Sequence, residues 1–407
     1  MNTYSSYKDS GIEWMGNIPE SWELTKNRFG FLKHKNGLNE SDDTNVLSLT
    51  TTGVKVKRDL NFGKSSESYI GHQLVEQGDI VFTPRDFDQT PILSDVSKYE
   101  GCISNLYIVD KTKENVLNRY VNYYWYGLKY SVDYFKNFSH GMRYSFNRFQ
   151  FDEIPLLIPS LREQQQISDY LDYKTSKIDI LIEKTQQKIE LLKEQRTSLI
   201  NTTVTKGLDP NVEMKDSGVE WIGDVPVGWD LVRLKYLFSL EGGKDPKRIQ
   251  DDDGEYPILG TGGEISRGSD FLYNKPTLLL GRKGTIDKPF LFDKPFWVSD
   301  VMYYTIQKSD ITPKYLYLLF TLTPFDYYRY GSTQPSMSRL DYESMFFPIP
   351  KKEERQQIVD YLDKETSKID KLVDIESKRI ILLKEYRQSL ISEVVTGKVD
   401  VRNEVLV

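Results

Sequence analysis

The 407-residue sequence is long enough for two domains with separate cores, and its 38% hydrophobic and 28% charged residues are typical of a folded globular protein. The formal net charge of −6 argues against a general nucleic-acid coat, although local basic loops could still read a specific site. No apolar run approaches the roughly 20 residues that span a bilayer, and residues 1–6 are polar, so we expect a cytoplasmic protein with no membrane partner. The single cysteine, Cys102, excludes an intrachain disulfide.

Two segments of the chain each occur twice. The sequence KDSGIEWMGNIPESW at 8–22 returns as KDSGVEWIGDVPVGW at 215–229, and the stretch 159–204 returns at 350–395. A period of about 200 residues is too long for a solenoid, so it indicates duplication of a whole domain together with its helix. The blocks between the shared segments align poorly and differ in length. We therefore predict a pseudo-two-fold internal duplication in which a scaffold is copied and two working surfaces have diverged.

The second repeated segment has the periodicity of a coiled-coil helix. Its apolar positions are Ile167, Leu171, Ile178, Ile182, Ile189, Leu192 and Leu199 in the first copy, and Ile358, Leu362, Ile369, Val373, Ile380, Leu383 and Leu390 in the second. Polar residues, Thr185 and Glu376, occupy the same position in the middle of each seam. Gly207 and Gly397 are expected to end the helices. About 40 residues make a rod of roughly 60 Å, so we predict two long antiparallel helices that separate two domains.

The diverged blocks contain short strand-like runs at 78–82, 276–280 and 297–304, broken by Gly, Pro and Asn. This pattern favours an α+β fold with twisted β-sheets. The predicted organisation is a first domain at 1–157, a central spacer helix at 158–207, a second domain at 208–348 and a C-terminal spacer helix at 349–407. A generic dimerisation coil is the alternative, but it explains neither the repeated entry motif nor the diverged blocks.

Each block carries two polar loops with Arg, Lys, Ser or Thr, at 83–90 and 139–148 in the first and at 281–285 and 331–339 in the second. Arg and Lys suit guanine edges and phosphates, Asn and Gln suit adenine, and hydroxyl groups bind phosphate. The candidate DNA-binding residues are Arg85, Arg143, Ser145, Asn147, Arg148, Arg282, Lys283, Thr333, Gln334, Ser336, Ser338 and Arg339. A role in loop packing or in an internal ion pair is the alternative for each.

Motifs for catalysis are missing from the sequence. The glycines at 260–263 and 281–284 fit neither a dinucleotide fingerprint nor a phosphate-binding Walker loop. His34, His72 and His140 have no metal-ligand spacing, and no Asn/Asp-Pro-Pro-aromatic tetrapeptide of adenine methyltransferases is present. We therefore predict no catalytic residue, metal site or bound cofactor in this chain. A self-contained nuclease or methyltransferase, or a scaffold that does not read DNA, remain the alternatives.

The repeated entry motif, the helix starts EQQQISDYLD at 163–172 and ERQQIVDYLD at 354–363, and the LLKE sequences at 191–194 and 382–385 resemble the specificity subunit of Type I restriction-modification enzymes. The resemblance covers essentially the whole chain. It implies two target-recognition domains that each read one half of a bipartite asymmetric site in double-stranded DNA. It also implies that the helices set the spacer and dock two adenine-methyltransferase subunits, which bring S-adenosylmethionine, while restriction/translocase subunits use ATP and Mg.

Overall fold

A computed structural model of the chain describes residues 2–33, 37–58, 68–85, 92–132, 145, 147–328 and 335–404. The chain forms two compact units. Unit 1 comprises Met1–Gln186 and Lys378–Val407, and unit 2 comprises Gln187–Ser377. Each unit therefore contains one α+β body and a segment of each of the two long helices.

Unit 1 contains twelve named strands and three shorter helices among its described residues. In chain order they are β1 (Tyr7–Asp9), β2 (Asn17–Pro19), β3 (Glu23–Lys26), α1 (Asn27–Gly30), β4 (Phe31–Lys33), β5 (Leu47–Thr50), β6 (Gly53–Val56), β7 (Gln73–Val75), β8 (Ile80–Phe82), β9 (Ser94–Val96), β10 (Gly101–Ile103), β11 (Ile108–Thr112), α2 (Asn118–Val132), α3 (Arg148–Asp152) and β12 (Pro155–Ile158). The first long helix, α4 (Leu161–Lys206), begins directly after β12.

Unit 2 has a similar order of elements, with eleven named strands instead of twelve among its described residues. Its elements are β13 (Met214–Asp216), β14 (Asp224–Pro226), β15 (Asp230–Arg233), α5 (Leu234–Leu237), β16 (Phe238–Gly242), β17 (Tyr256–Gly260), β18 (Gly263–Gly268), β19 (Thr277–Gly281), β20 (Phe290–Phe292), β21 (Trp297–Val298), β22 (Met302–Gln307), α6 (Pro313–Phe320), a 3-10 turn (Phe325–Tyr327), α7 (Arg339–Ser344) and β23 (Phe346–Ile349). The second long helix, α8 (Lys352–Val395), follows β23.

The central sheet has the same topology in the two units, although their sequences align poorly. Its strand order is β4-β11-β8-β9 in unit 1 and β16-β22-β19-β20 in unit 2, and every pairing is antiparallel. The middle strands β8 and β19 are fully buried, as IVF and TLLLG sequences allow. A buried strand requires apolar side chains of suitable volume rather than particular residues. The two units can therefore have the same strand order although their sequences differ.

The single strand predicted at 297–304 is divided into two strands in the structure. The run 297–304 divides into β21, which pairs in parallel with β17, and β22, which lies in the central sheet. Between them, Met302 N donates to the Ser299 carbonyl at 3.1 Å and closes a turn. Ser299 and Asp300 interrupt the apolar residues of 297–304 at this turn, so the polar pair was the available sign that the run divides.

The predicted long helices are confirmed, with 46 residues in α4 and 44 in α8. At 1.5 Å per residue they are about 66 to 69 Å long. Both helices end at the predicted glycine, since Gly207 and Gly397 have φ of 77° and 75°. Most seam positions are buried in each unit, including Ile167, Ile178 and Ile369.

Ion pairs in unit 2 show that the helix segments are antiparallel, as predicted. In unit 2, Lys188 Nζ contacts Glu376 Oε1 at 2.5 Å, and Arg196 contacts Asp370 at 2.8 Å, so numbers rise along α4 as they fall along α8. In unit 1, Arg387 pairs with Asp179. The mid-seam polar residues are both buried, Thr185 at 5% exposure and Glu376 at 6%.

Candidate nucleic-acid interface

The structure brings the two predicted loops of each block together. In unit 1, Arg85, which follows β8, forms an isolated antiparallel bridge with Ser145. In unit 2, Lys283, which follows the corresponding strand β19, forms the same kind of bridge with Ser336. The side-chain chemistry of each loop was visible in the sequence, whereas the pairing of the loops was not. Each unit therefore presents one composite loop surface at the same end of the central sheet.

The unit 2 loops are held together by backbone hydrogen bonds as well. Met337 N donates to the Arg282 carbonyl at 3.0 Å, and Gly284 N donates to the Pro335 carbonyl at 2.9 Å. Gly284 has φ of 86°, which favours glycine in this turn. The positions of Arg282 and Lys283 are thus fixed by main-chain contacts that do not use their side chains.

Two predicted site residues, Asn147 and Ser338, are N-caps of the short helices α3 and α7. The Asn147 side chain accepts from Gln150 N at 3.0 Å, while the Gln150 side chain accepts from Asn147 N at 2.9 Å. Ser338 and Asp341 form the equivalent capping box, at 3.3 and 2.7 Å. These hydrogen bonds stabilise the helix starts, typically by about 1 kcal/mol each. They fix where each loop ends and its helix begins.

Arg148 lies in an ion-pair cluster inside unit 1. Its guanidinium donates to Asp110 at 2.7 Å and to Asp152 at 2.8 Å, and Asp110 is 1% exposed. Burial opposes protonation, but the two carboxylates outweigh it and raise the pKa of Arg148. Because Asp110 belongs to β11, the cluster joins α3 to the central sheet.

Arg339 occupies the corresponding position in unit 2. Its Nε donates to Glu343 at 2.9 Å, and its terminal nitrogen donates to the Leu240 carbonyl of β16 and lies 3.4 Å from Glu241. Arg148 and Arg339 thus both connect a short helix to the central sheet. The alternative of an internal ion pair describes their contacts in this structure.

Besides Arg339, which is itself exposed, three cationic candidates lie at the surface. Arg85, Arg282 and Lys283 are all classed as exposed, and Arg282 lies 6.0 Å from the Tyr303 ring centre while its NH1 is 3.4 Å from the Asp300 carbonyl. Ser145 is also exposed, whereas Ser336 is half-buried. Arg143, Thr333 and Gln334 lie outside the described residues.

Within the ranges that the structure describes, no group of His, Cys, Asp and Glu could hold a metal ion. His72 lies beside Tyr69, and His34 and His140 are outside the described residues. None of the described helices is both long and apolar enough to span a bilayer.

The repeated entry motif forms a clamp on the start of each long helix, a role that sequence analysis missed. Residues 7–19 and 214–226 form the hairpins β1–β2 and β13–β14. At the end of each motif, an indole nitrogen donates to a glutamate in the first turn of a long helix. The Trp22–Glu163 distance is 3.0 Å and the Trp229–Glu354 distance is 3.1 Å. The joint repetition of a tryptophan and a glutamate was the signal available in the sequence.

Comparison with known proteins gives the family. The family model described as "Type I restriction modification DNA specificity domain" matches residues 30–191 and 226–402, which together make up most of the chain and follow its duplication. The chain therefore belongs to the DNA-specificity family of Type I restriction-modification systems. Its members are named specificity subunits, the non-catalytic DNA-recognition component of these systems.

Two curated relatives each cover three quarters or more of the chain. It is 23% identical over 425 residues to the putative type I restriction enzyme MjaX specificity subunit of Methanocaldococcus jannaschii, covering 95% of this chain and 96% of that one. It is also 23% identical to the MjaVIII specificity subunit of the same organism, over 75% and 76% of the two chains.

Two solved structures share the fold at 14% identity. One chain, described as "Structural basis underlying complex assembly and conformational transition of the type I R-M system", matches with a TM-score of 0.69 over 94% of this chain and 99% of that chain. The HsdS subunit from Thermoanaerobacter tengcongensis matches with a TM-score of 0.54 over 96% and 100%.

Proposed function

We propose that this specificity subunit reads a bipartite asymmetric site in double-stranded DNA, with one half-site for the composite loop surface of each unit. The observation that carries the proposal is the pair of equivalent bridges, Arg85–Ser145 and Lys283–Ser336. The two units hold equivalent loop positions in the same backbone arrangement but place different side chains there. Two domains that recognise different base sequences require such a difference. The proposed domains are those given by the sequence, 1–157 and 208–348.

Within each surface, we infer that Arg85, Arg282 and Lys283 contact DNA, because they are exposed and their backbones are held by the paired loops. Arg148 and Arg339 are assigned to positioning, since their guanidinium groups are committed to carboxylates and a carbonyl. Arg143, Thr333 and Gln334 remain candidates from sequence. A base contact by one of these cations would be worth roughly 1 to 3 kcal/mol of discrimination.

The helices are proposed to set the spacer and to dock two adenine-methyltransferase subunits. An exposed pair of leucines supports docking in each unit. Leu181 and Leu382 in unit 1 are 41% and 64% exposed, and their repeat equivalents Leu372 and Leu191 in unit 2 are 43% and 64% exposed. Helical geometry places both members of a pair on the same side of the seam. Two equal apolar surfaces suit two copies of one partner.

In the proposed complex this chain binds no cofactor. S-adenosylmethionine belongs to the methyltransferase subunits, which flip an adenine in each half-site, and ATP and Mg belong to the restriction/translocase subunits. What this chain contributes is the position of the DNA relative to those partners. A cytoplasmic location follows from that role.

The test is single-molecule sequencing of adenine methylation in cells that express the chain with its neighbouring methyltransferase, compared with cells that lack the chain. We expect a new split motif with two unlike halves around a fixed gap. Lys283→Ala should relax one half only, and Arg85→Ala the other half only. Equal relaxation of both halves would contradict the two-reader proposal, and the absence of a new motif would favour a scaffold that does not read DNA.

A further inference from the structure

Each unit exposes two large apolar side chains on neighbouring short helices. In unit 1, Phe29 of α1 is 54% exposed and Phe149 of α3 is 70% exposed. In unit 2, Tyr236 of α5 is 64% exposed and Leu340 of α7 is 74% exposed. We call each set the short-helix patch. Large apolar groups with this exposure are unusual when they recur at equivalent places, and they indicate an interaction surface.

The two patches have the same construction. In unit 1, Asn27 N donates to the Ile154 carbonyl at 2.9 Å and joins the start of α1 to the end of the α3 segment. In unit 2, Leu234 N donates to the Met345 carbonyl at 2.9 Å and joins α5 to α7. These residues occupy equivalent positions in the two repeats, since β3 pairs with β12 as β15 pairs with β23.

A cation covers one aromatic ring in each patch. Arg28 Cζ lies 4.9 Å from the Phe29 ring centre, and Lys235 Nζ lies 4.9 Å from the Tyr236 ring centre. The residues therefore differ between the units, but the chemistry is kept: an aromatic group, a cation over it, and a second apolar group. The surrounding blocks have diverged, so a retained chemistry indicates a requirement common to both units.

Charge distinguishes between a protein and DNA as the partner. Around the unit 1 patch, three cations (Lys26, Arg28 and Arg148) are balanced by three carboxylates (Asp110, Asp152 and Glu153), and all are joined by ion pairs of 2.5 to 2.8 Å. Around the unit 2 patch, Arg339 pairs with Glu343 at 2.9 Å and with Glu241 at 3.4 Å, Arg233 lies 4.8 Å from the Phe346 ring centre, and Lys308 Nζ donates to the Lys235 carbonyl at 3.3 Å. A surface whose cations are engaged by carboxylates, rings and carbonyl groups gains less from displacing counterions on a polyanion than a surface of free cations does. Its apolar centre and polar rim are typical of a protein interface.

We infer that each short-helix patch docks one copy of the same protein, and that this protein is the methyltransferase subunit. The inference rests on the proposed function and adds a contact on each domain body to the contact on the helices. It also gives the patch a purpose in that function. Asn147 and Ser338 cap α3 and α7 at the end of the reading loops, so a subunit seated on Phe149 or Leu340 lies next to the half-site whose base it must methylate.

The experiment uses the full chain with its methyltransferase subunit, and native mass spectrometry and titration measure the number and affinity of bound copies. Phe29→Ser with Phe149→Ser should weaken one of the two bound copies at least about tenfold, and Tyr236→Ser with Leu340→Ser should weaken the other. Leu106→Ser and Ile265→Ser, at residues 52% and 58% exposed in units 1 and 2, are matched controls that should leave binding unchanged. Phe149→Leu and Tyr236→Phe, which exchange residue types between the units, should retain binding.

Normal methyltransferase binding by both double variants would overturn the inference. So would double variants that bind the methyltransferase normally but bind DNA more weakly, because the patch would then contact DNA. Dimerisation of the free chain that the double variants abolish, with normal methyltransferase binding, would assign the patch to a second copy of this chain and would also overturn it. If the unaltered chain bound no methyltransferase, the docking part of the proposed function would fail as well, a result visible before any variant is made.

Discussion

Arg196 donates from Nε to Oδ1 of Asp370 at 2.8 Å and joins the two long helices within unit 2. Their repeat equivalents, Arg387 and Asp179, form the same contact in unit 1 at 2.9 Å, with the helices exchanged. Each helix thus supplies the arginine once and the aspartate once. An antiparallel pair of copied helices satisfies both contacts with a single register, which links the duplication in the sequence to the pairing in the fold.

We predict that Arg196→Asp lowers stability and that adding Asp370→Arg restores it. The side chains are 34% and 55% exposed, so the coupling free energy should be below about 1 kcal/mol and should shrink in high salt. Denaturant unfolding of the two single variants and the double variant measures the coupling. Glu365→Ala removes an exposed ion pair within one helix and serves as the control. Additive effects of the two changes would mean that the pair does not specify the register.

Glu163→Ala should destabilise the protein more than Glu354→Ala. Each glutamate accepts the indole hydrogen of an entry-motif tryptophan, but Glu163 is 5% exposed whereas Glu354 is half-buried. Loss of the acceptor leaves the buried Trp22 indole without this partner, at a cost of about 1 to 3 kcal/mol. Both residues lie in the first turn of a long helix, so the change in helix propensity and helix-dipole interaction is matched. Thermal unfolding measures the difference, and equal losses would contradict the assigned role of burial.

Arg148→Ala should lower stability, whereas Arg85→Ala should not. Arg148 pairs with the buried Asp110 but is itself 34% exposed, so its removal should cost less than the roughly 3 to 5 kcal/mol expected for a fully buried pair. Arg85 is exposed, so its replacement should change DNA binding at an unchanged melting temperature. Measuring both quantities on both variants separates positioning from recognition. A stable Arg148→Ala variant with selective loss of one half-site would return Arg148 to the candidate DNA contacts.

Residues 2 and 400 lie together in unit 1, since Asp400 N donates to the Asn2 carbonyl at 2.8 Å. We predict that a circular permutant with residue 404 linked to residue 2 and new ends at the exposed Asp209 folds and recognises the same DNA site. Gly397 lies against Pro19 and Trp22 in unit 1, and Gly207 lies against Pro226 and Trp229 in unit 2. Each helix end therefore contacts an entry motif in the same way, whether or not the chain continues from that end into the next domain. Methylation sequencing and thermal unfolding check this result. A permutant opened inside the buried strand β8 is the control that should fail to fold.

The duplicated helices and their ends could be predicted from the sequence, because periodicity, matching registers and the terminal glycines are local signals. It also selected, by composition, residues that the structure pairs within each unit, namely Arg85 with Ser145 and Lys283 with Ser336. The capping boxes at Asn147 and Ser338 were readable as Asn-x-x-Gln and Ser-x-x-Asp, but their polar chemistry was interpreted only as DNA binding.

The remaining features depend on contacts distant in sequence. The bridge between Arg85 and Ser145 joins residues 60 positions apart, and the ion pair between Arg148 and Asp110 joins residues 38 positions apart. Neither leaves a periodic pattern in the chain. The common strand order was hidden as well, because buried strands retain apolar character rather than residue identity.

The helices can be tested as a spacer by inserting four residues into each of them, near Thr185 and Glu376. These positions lie beside the unit boundaries at Gln186 and Ser377, so the insertions leave the two cores intact. Four residues add about 6 Å, slightly more than one turn, and we expect the accepted spacer to lengthen while the two half-sites stay the same. Methylation sequencing reads the spacer directly. Insertion into one helix alone breaks the antiparallel register and should reduce assembly, which makes it the control. An unchanged spacer with both insertions in a folded protein would show that the helices do not set the distance between half-sites.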